Sequence, residues 1–346
     1  MITADVSCRL LEVDYSGIEA VLTGWFLRDP AYIRLARLGI HAAVTAIAVG
    51  QPADLSWSDD QLKAYLEQIK HAYPEQYKKA KRTVHAKNYG LTVYGAVEQG
   101  LFDTLKESQE FENYYYALAP KLPEWHLEIQ QRAKTMGYLG GPTAPGAVPT
   151  KWDHPYGYRH WFWDVLSYQA TDEWTARKWL HDSRWKQRIV YLNGRPYKIK
   201  LGGDSKRVIA FYPQSTAAGR LKEAELDLFH PDSSNFVGDN YFGRTPLLGP
   251  IHDSLLFNIP TRCFDRVTHT IFEVMSRPTR HLPCPAEWNI GSYLGIGIAA
   301  KVGRDWGHMT DVPIMGTNAP TMGSDAPELP READTLDDWQ ALARVV

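Results

Sequence analysis

The distribution of strand and helix patterns constrains the fold of this chain more than any other feature. Residues 9–13 form a short apolar run typical of a buried strand, and helical patterns then dominate as far as about Met136. Two hairpin signals follow, one around the Asn-Gly pair in residues 188–201 and one on both sides of residues 252–254. Strand patterns at both ends with a helical block between them predict an α+β fold with an antiparallel sheet.

Capping and breaking residues divide the chain further. Ser16, with Glu19 three residues later, is a plausible N-cap for the first helix. Gly137 is expected to end the helical block. Residues 140–157 are rich in glycine and proline and predict a loop, and a helix is expected over residues 214–230.

The overall composition indicates a globular protein that is not globally attracted to nucleic acid. The 346 residues are 44% hydrophobic, enough for one large or two moderate cores, and the net charge is -2. Cys8, Cys263 and Cys284 lack paired spacing, so neither a disulfide framework nor a zinc site is indicated. We find no signal peptide and no membrane-spanning run, which predicts no membrane partner and a cytoplasmic location.

The composition changes after Trp306. Residues 309–333 are rich in proline, glycine, threonine, aspartate and methionine, which predicts a disordered linker. Residues 335–345 have the pattern of a short amphipathic helix, either as a frayed tail or as a docking peptide for a partner.

Asp14 and Asp253 each follow an apolar strand, at the point where the strand gives way to a turn or helix. Nucleotidyl transfer assisted by two divalent metals requires carboxylates from separate elements that the fold brings together. An aspartate at a strand end is usually a helix cap or a turn residue. The assignment of these two as metal ligands therefore depends on the residues that flank them.

Those flanking residues resemble two motifs of the family A DNA polymerases. Leu-Glu-Val-Asp14-Tyr15-Ser-Gly-Ile-Glu resembles motif A, usually Asp-Tyr-Ser-Gln-Ile-Glu, and Ile-His-Asp253-Ser-Leu-Leu-Phe resembles motif C, usually Val-His-Asp-Glu. The resemblance implies that Asp14 and Asp253 hold two Mg²⁺ ions. It also implies that the backbone carbonyl of Tyr15 is a further metal ligand.

The same resemblance implies a role for Glu19 and shows two departures from the family pattern. Glu19 would be the steric gate that crowds the sugar 2′ carbon and so rejects ribonucleotides. Gly17 replaces the usual glutamine of motif A, and Ser254 replaces the usual glutamate of motif C. Single-subunit RNA polymerases also carry the sequence His-Asp-Ser, which leaves an RNA-synthesising relative as an alternative.

The most basic segment of the chain, residues 75–90, has a helical pattern. Cations that could bind a triphosphate and rings that could stack on a base share one of its faces. That face carries Lys78, Lys81, Arg82, His85 and Tyr89. A solvated charged face is the simpler interpretation of such a pattern, but the alignment of rings with cations favours nucleotide binding.

This segment resembles motif B, the fingers helix of the same family. In an ungapped alignment, Lys81 occupies the position of the triphosphate-binding lysine and His85 that of the ring near the incoming base. Tyr89 then lies near the templating base. The family's first arginine falls on Tyr77, and Lys78 is the neighbouring residue that could supply its charge.

A rival alignment of motif B remains open. It matches Asn88-Tyr89-Gly90 to the family's Asn-Phe-Gly, and Tyr94-Gly95 to its Tyr-Gly, and it requires a one-residue insertion. In this register His85 falls in the lysine position, whereas Lys81 and Tyr89 stay candidates in either register.

Further segments extend the resemblance. Gly39-Ile40-His41 resembles the Asp-Ile-His that follows motif A, which implies that His41 contacts the phosphates. Residues 206–218 resemble the segment before motif C, in which a glutamine touches the minor groove and a basic residue lies near the primer end; the usual asparagine falls on Ala210. The resulting DNA-binding candidates are Arg82, Lys206, Arg207, Gln214 and His252.

Together the match runs from about residue 9 to residue 308 and implies a right-hand polymerase of phage type. The implied domains are palm at 1–35 and 206–308, fingers at 36–165, an insertion with a hairpin at 166–205, and a tail at 309–346. The family's thumb and exonuclease would precede motif A, so we expect a split polymerase whose N-terminal half supplies the thumb.

The predicted function is template-directed DNA synthesis, in which a primer 3′-hydroxyl attacks a dNTP on primer–template DNA. The departures at Gly17, Tyr77 and Ser254 keep a second alternative open, namely a catalytically weak half that serves as a DNA-binding or assembly subunit.

Overall fold

A computed structural model of the chain describes residues 2–5, 7–144, 150–181, 189–237 and 247–312. The described residues divide into two compact units, one formed by residues 1–40 and 214–346 and the other by residues 41–213. The structure confirms a mixed fold with an antiparallel sheet. The predicted helix at 335–345 lies outside the described residues, and palm and fingers remain predicted names for parts of the chain.

The first unit is built on a five-stranded antiparallel sheet. Its strands are β1 (Cys8–Tyr15), β7 (Leu247–Ile251), β8 (Ser254–Pro260), β9 (Ile298–Gly303) and β10 (Thr310–Val312), in the spatial order β10-β9-β1-β8-β7. The same unit contains the helices α1 (Ile18–Phe26), α2 (Pro30–Leu38) and α11 (Phe264–Ser276). It also contains the C-terminal part of the long helix α10 (Ser205–Phe229).

One face of this sheet forms the core of the first unit. Alternate residues of β1 point to opposite faces, and Leu11, Val13 and Tyr15 join a buried cluster with Phe257 of β8 and Ile271 of α11. Full burial of each such side chain contributes about 1.5–3 kcal/mol. The register is therefore strongly determined, because a slip of one residue would move this apolar set to the other face.

The second unit is mainly helical. Its helices are α3 (Ile40–Ala48), α4 (Asp59–Ala72), α5 (Pro74–Asn88), α6 (Val93–Glu98), α7 (Leu105–Leu118), α8 (Leu122–Met136), α9 (Glu173–His181) and the start of α10. Strands β2 (Tyr138–Gly140) and β3 (Arg159–Trp161) pair with each other, and β4 (Leu166–Ala170), β5 (Ile189–Leu192) and β6 (Arg195–Leu201) form the order β4-β6-β5. No helix among the described residues is both long and apolar enough to cross a lipid bilayer.

Several expectations from the sequence are confirmed. Leu192 pairs with Arg195 across Asn193 and Gly194, which have φ values of 51° and 74°, as a two-residue hairpin turn requires. Gly137 ends α8 in the left-handed conformation. The second expected hairpin is formed by β7 and β8.

Two helix boundaries differ from the expectation. Gly17, not Ser16, occupies the N-cap of α1, with φ 61°, a conformation that glycine adopts without strain. The helix expected at 214–230 begins at Ser205 and continues through Pro213. Pro213 removes one backbone hydrogen bond, but burial of Val208 and Tyr212 before it offsets that loss.

Candidate active site

Asp14 lies near the end of β1, on the face opposite to the core. It is opposite Ser254 of β8 and Ala299 of β9. Because Val13 and Tyr15 point into the core, Asp14 and Glu12 share the other face, where both are half-buried. The alternation of β1 that places apolar side chains in the core therefore also places Glu12 and Asp14 together on the opposite face.

Asp253 lies in the tight turn between β7 and β8. Ile251 pairs with Ser254, so the turn contains only His252 and Asp253. His252 is exposed and adopts φ 58°, which is uncommon for a residue with a side chain. The backbone N–H of Tyr15 donates to the carbonyl of Asp253 at 3.2 Å, which joins this turn to the end of β1.

The two aspartate side chains come into contact although they are distant in the sequence. The pKa of Asp14 is raised to about 7, chiefly by burial and then by the charge of Asp253 and a hydrogen bond with its carboxyl. Glu12 acts in the same direction, whereas Lys301 lowers the pKa. Without a compensating cation, two carboxyl groups in such contact are both ionised only at a pH above the raised pKa.

The residues present fit a divalent metal ion. Carboxylate oxygens are the ligands that Mg²⁺ prefers, and a bound cation would offset both the burial and the repulsion that raise the pKa of Asp14. Among the described residues, no three histidine, cysteine, aspartate or glutamate side chains are grouped so that they could hold a metal. Further ligands would therefore be carbonyls, water or substrate phosphates, and the predicted Tyr15 carbonyl is one such group.

Ser254 occupies the position of the usual motif C glutamate and forms two hydrogen bonds. Its hydroxyl contacts the carbonyl of Ile251 at 2.9 Å and Oε1 of Glu12 at 3.3 Å. Oε2 of Glu12 accepts from Nε1 of Trp306 at 3.1 Å. Glu12 thus places a carboxylate beside Ser254 from a different strand.

Glu12 and Lys301 also lie close enough to influence Asp14, although neither was predicted as a site residue. Glu12 is opposite Lys301 in the pairing of β1 with β9, and both residues act on the pKa of Asp14. The signal available in the sequence was the position of Glu12, two residues before Asp14 on a strand, which puts both on one face.

The other predicted residues of the first unit are distributed over its helices. Glu19 is half-buried in the first turn of α1. Gln214 is exposed and lies within α10, not at its start as the expected helix implied.

The second unit brings several predicted nucleotide-binding residues together on α5 and α3. The rings of His41 and Tyr77 have centroids 6.2 Å apart, and those of His85 and Tyr89 are 5.1 Å apart. Tyr77, Lys81 and His85 recur at intervals of four residues on one face of α5, and Tyr89 is the C-cap of that helix.

His41 is neutral near pH 7. Its burial, followed by the charges of Lys81 and His85, lowers its pKa to about 4. A phosphate contact by His41 would therefore be a hydrogen bond from a neutral ring, and the cationic charge on this face comes from Lys81.

Two other lysines of α5 contact the neighbouring helix α7. Lys79 and Lys87 form ion pairs with Glu107 and Glu112, which attach α5 to α7. Lys87 is completely buried, so its pairing with Glu112 is needed to offset its desolvation.

Two residues predicted to bind nucleotide or DNA lie on the outer side of α5. Lys78 and Arg82 are exposed, and Nζ of Lys78 is 2.9 Å from Oε1 of Glu75. An exposed pair of this kind contributes little to stability, so it does not prevent Lys78 from binding another anion.

Lys206 and Arg207 lie in the first turn of α10, where both are exposed. Nη1 of Arg207 is 3.0 Å from Oδ1 of Asp204. The predicted site residues are therefore divided between the units. The first unit carries Asp14, Tyr15, Glu19, Gln214, His252 and Asp253, and the second carries His41, Lys78, Lys81, Arg82, His85, Tyr89, Lys206 and Arg207.

Comparison with known proteins shows a likeness in structure but not in sequence. No family model matches the chain, and no curated protein sequence matches it. Its structure is similar to the polymerase domain of Pol1 from M. smegmatis, solved in complex with DNA primer-template and dNTP, with a TM-score of 0.56 and 17% identity. The match covers 88% of this chain and 41% of that chain. The chain therefore has the fold of a polymerase domain and spans less than half of that neighbour's length.

Proposed function

We propose that this chain catalyses template-directed transfer of deoxynucleotides from dNTP to the 3′-hydroxyl of a DNA primer. The observation that carries the proposal is the contact between Asp14 and Asp253 at the end of β1 in a polymerase-like fold. The neighbouring polymerase domain was solved with primer-template and dNTP, which supports these substrate classes.

The residues of the first unit would provide the carboxylates of the reaction. Asp14 and Asp253 would hold two Mg²⁺ ions, with the Tyr15 carbonyl as a further ligand. When bound, these ions activate the attacking hydroxyl and neutralise the charge that develops on the phosphates. Glu19 would exclude the ribose 2′-hydroxyl, and Gln214 and His252 would contact the primer–template.

The residues of the second unit would bind the triphosphate and DNA. Lys81 would supply positive charge, His41 a neutral hydrogen-bond donor, and His85 and Tyr89 flat rings for the bases. Lys78 would be an auxiliary cation. The predicted phosphate contacts to DNA are from Arg82, Lys206 and Arg207, and such contacts position a strand without reading its sequence.

A primer-extension assay tests the proposal. With magnesium and one dNTP at a time, the chain should add only the nucleotide that is complementary to the template, and EDTA should stop the reaction. Equal use of NTP and dNTP would instead support the RNA-synthesising relative that His-Asp-Ser suggests. DNA binding without any extension would support the DNA-binding or assembly subunit.

We also propose that a phage-type N-terminal polymerase half supplies the thumb in trans. Extension by the chain alone should be short and should lengthen when a matching N-terminal half is added. Fully processive synthesis by the chain alone would contradict this part of the proposal.

A further inference from the structure

Two large aromatic side chains are exposed just after the β2–β3 ribbon of the second unit. Trp161 is 52% exposed and Trp163 is 84% exposed. Their rings have centroids 6.3 Å apart, and their planes differ by only 13°. Between them in sequence, Phe162 points inward and is buried, so the alternation of the strand directs both indoles to the same outer face.

The positions of these two rings are determined by neighbouring contacts. The ring of Trp161 lies 5.0 Å from that of Tyr138 on the paired strand. The backbone N–H groups of Trp163 and Asp164 donate to Oδ2 of Asp204 at 3.0 and 3.2 Å. The backbone next to the rings is therefore fixed by hydrogen bonds. Less conformational entropy is lost when a ligand packs on the rings, because they are already positioned.

Two guanidinium groups belong to residues that contact the neighbours of these rings. Arg159 lies over the ring of Tyr138 at 4.8 Å, beside Trp161. Arg207 lies 3.0 Å from Asp204, the residue that holds the backbone of Trp163, and its side chain is 67% exposed. Exposed, nearly parallel rings with arginines in their neighbourhood combine a stacking surface with charge that complements phosphates.

We propose that Trp161 and Trp163 form a stacking site for unpaired bases of single-stranded DNA, with Arg159 and Arg207 beside its phosphates. The indole centroids are 6.3 Å apart and their planes are nearly parallel, so a base can stack on the pair with both rings in a similar orientation. Stacking does not depend on base identity, so the site would tolerate any sequence.

The inference deepens the proposed function and rests on it in one respect. A polymerase would bring the unpaired part of its template to this site. The alternative occupant of an exposed aromatic patch is a protein partner. The arginines beside the rings favour a polyanion, and the experiment below separates the two occupants.

The test measures binding of the full chain to labelled single strands in EDTA, without dNTP, so that catalysis is not required. One strand is oligothymidylate, and the other has the same length and phosphate number but abasic units. The variants are Trp161→Ala/Trp163→Ala, the conservative Trp161→Phe/Trp163→Phe, and the control Trp174→Ala. Trp174 is 73% exposed on α9, which packs against β5 and β6.

We expect the double alanine variant to lose roughly 5- to 100-fold in affinity for oligothymidylate, the range that one stacked base contributes. The double phenylalanine variant and Trp174→Ala should bind nearly as the original chain does. The original chain should bind the abasic strand no better than the double alanine variant binds oligothymidylate.

Unchanged binding of oligothymidylate by the double alanine variant would overturn the proposal and would point to a protein partner for the patch. Equal affinity of the original chain for the abasic strand would overturn it as well. Because Trp163 is largely exposed, the single variant Trp163→Ala should retain the fold and should reproduce part of the loss if the double variant is unstable. A failure of primer extension alone would contradict the proposed function and not this site.

Discussion

The side chain of Asp253, in the β7–β8 turn, forms a hydrogen bond with that of Asp14 at the end of β1. The pairing of β1 with β8 in one register and the bond from Tyr15 N–H to the Asp253 carbonyl produce this contact.

Replacement of Asp253 by asparagine should reduce primer extension by about a thousandfold or more, because a neutral amide cannot hold the metal charge that the transition state requires. Single-turnover extension measures the loss, and circular dichroism should show an unchanged fold. The matched control is Asp232→Asn, since that side chain is 93% exposed and pairs with His230. Extension by Asp253→Asn within tenfold of the original rate would contradict the assignment.

The raised pKa of Asp14 predicts that the metal-free chain loses folding stability as the pH rises. Its folded pKa is about 7 against an ordinary 3.8, so the folded state binds the proton more tightly than the unfolded state. The resulting stabilisation is complete below about pH 4 and is lost as pH rises through 7.

Asp14→Asn should therefore melt at the same temperature as the original chain near pH 4 and a few degrees higher at pH 8 in EDTA. The difference corresponds to roughly 1–2 kcal/mol. Thermal melts at both pH values provide the measurement. If the difference in melting temperature between the two chains is the same at pH 4 and pH 8, Asp14 has an ordinary pKa. Magnesium should reduce the difference at pH 8, because it replaces the proton.

Lys81→Ala should lower kcat/KM for dNTP by roughly 10- to 100-fold, the effect of one lost charge-assisted hydrogen bond to phosphate. Steady-state extension at varied dNTP concentration measures it. Lys63→Ala, which removes an exposed lysine from α4, is the control and should be neutral. If the two variants behave alike, Lys81 does not bind the triphosphate, and the rival motif B register with His85 gains support.

Arg220→Met should destabilise the fold by roughly 2–4 kcal/mol, because it leaves buried acceptors without donors. Arg220 is 2% exposed, and its Nη2 donates to the carbonyls of Val274, Met275 and Arg277 at 2.9–3.0 Å at the end of α11. Urea unfolding followed by tryptophan fluorescence measures the change. The exposed Arg280→Met should shift the midpoint by little, and an equal effect of both variants would refute the role of Arg220.

Local patterns predicted β1, the strands of both hairpins and the aspartates at the strand ends. They missed β2, β3, β4 and also β10, which lies in the segment expected to be a linker. The Asn193-Gly194 turn could be foreseen because positive φ at two successive residues is costly for most other residue types. The true start of α10 could not, because Pro213 is a helix breaker by local rules and only the burial of Val208 and Tyr212 overrides it.

Contacts between residues that are distant in the sequence could not be predicted. Lys87 and Arg220 are charged residues that local rules assign to the surface, yet both are buried by partners on other elements. The same holds for Glu12, whose influence on Asp14 depends on the register of β1 with its neighbours. Such contacts depend on tertiary packing, which is not encoded in any short window of residues.

The ring of Tyr15 is fully buried 5.5 Å below the guanidinium of Arg220. A single cation thus supports both the last turn of α11 and the strand that ends at the candidate metal site. A genetic screen for inactive chains should consequently recover Arg220 about as often as the two aspartates. Only the abundance of folded protein in the cell would distinguish these classes, because the Arg220 variants would be degraded while the aspartate variants would accumulate.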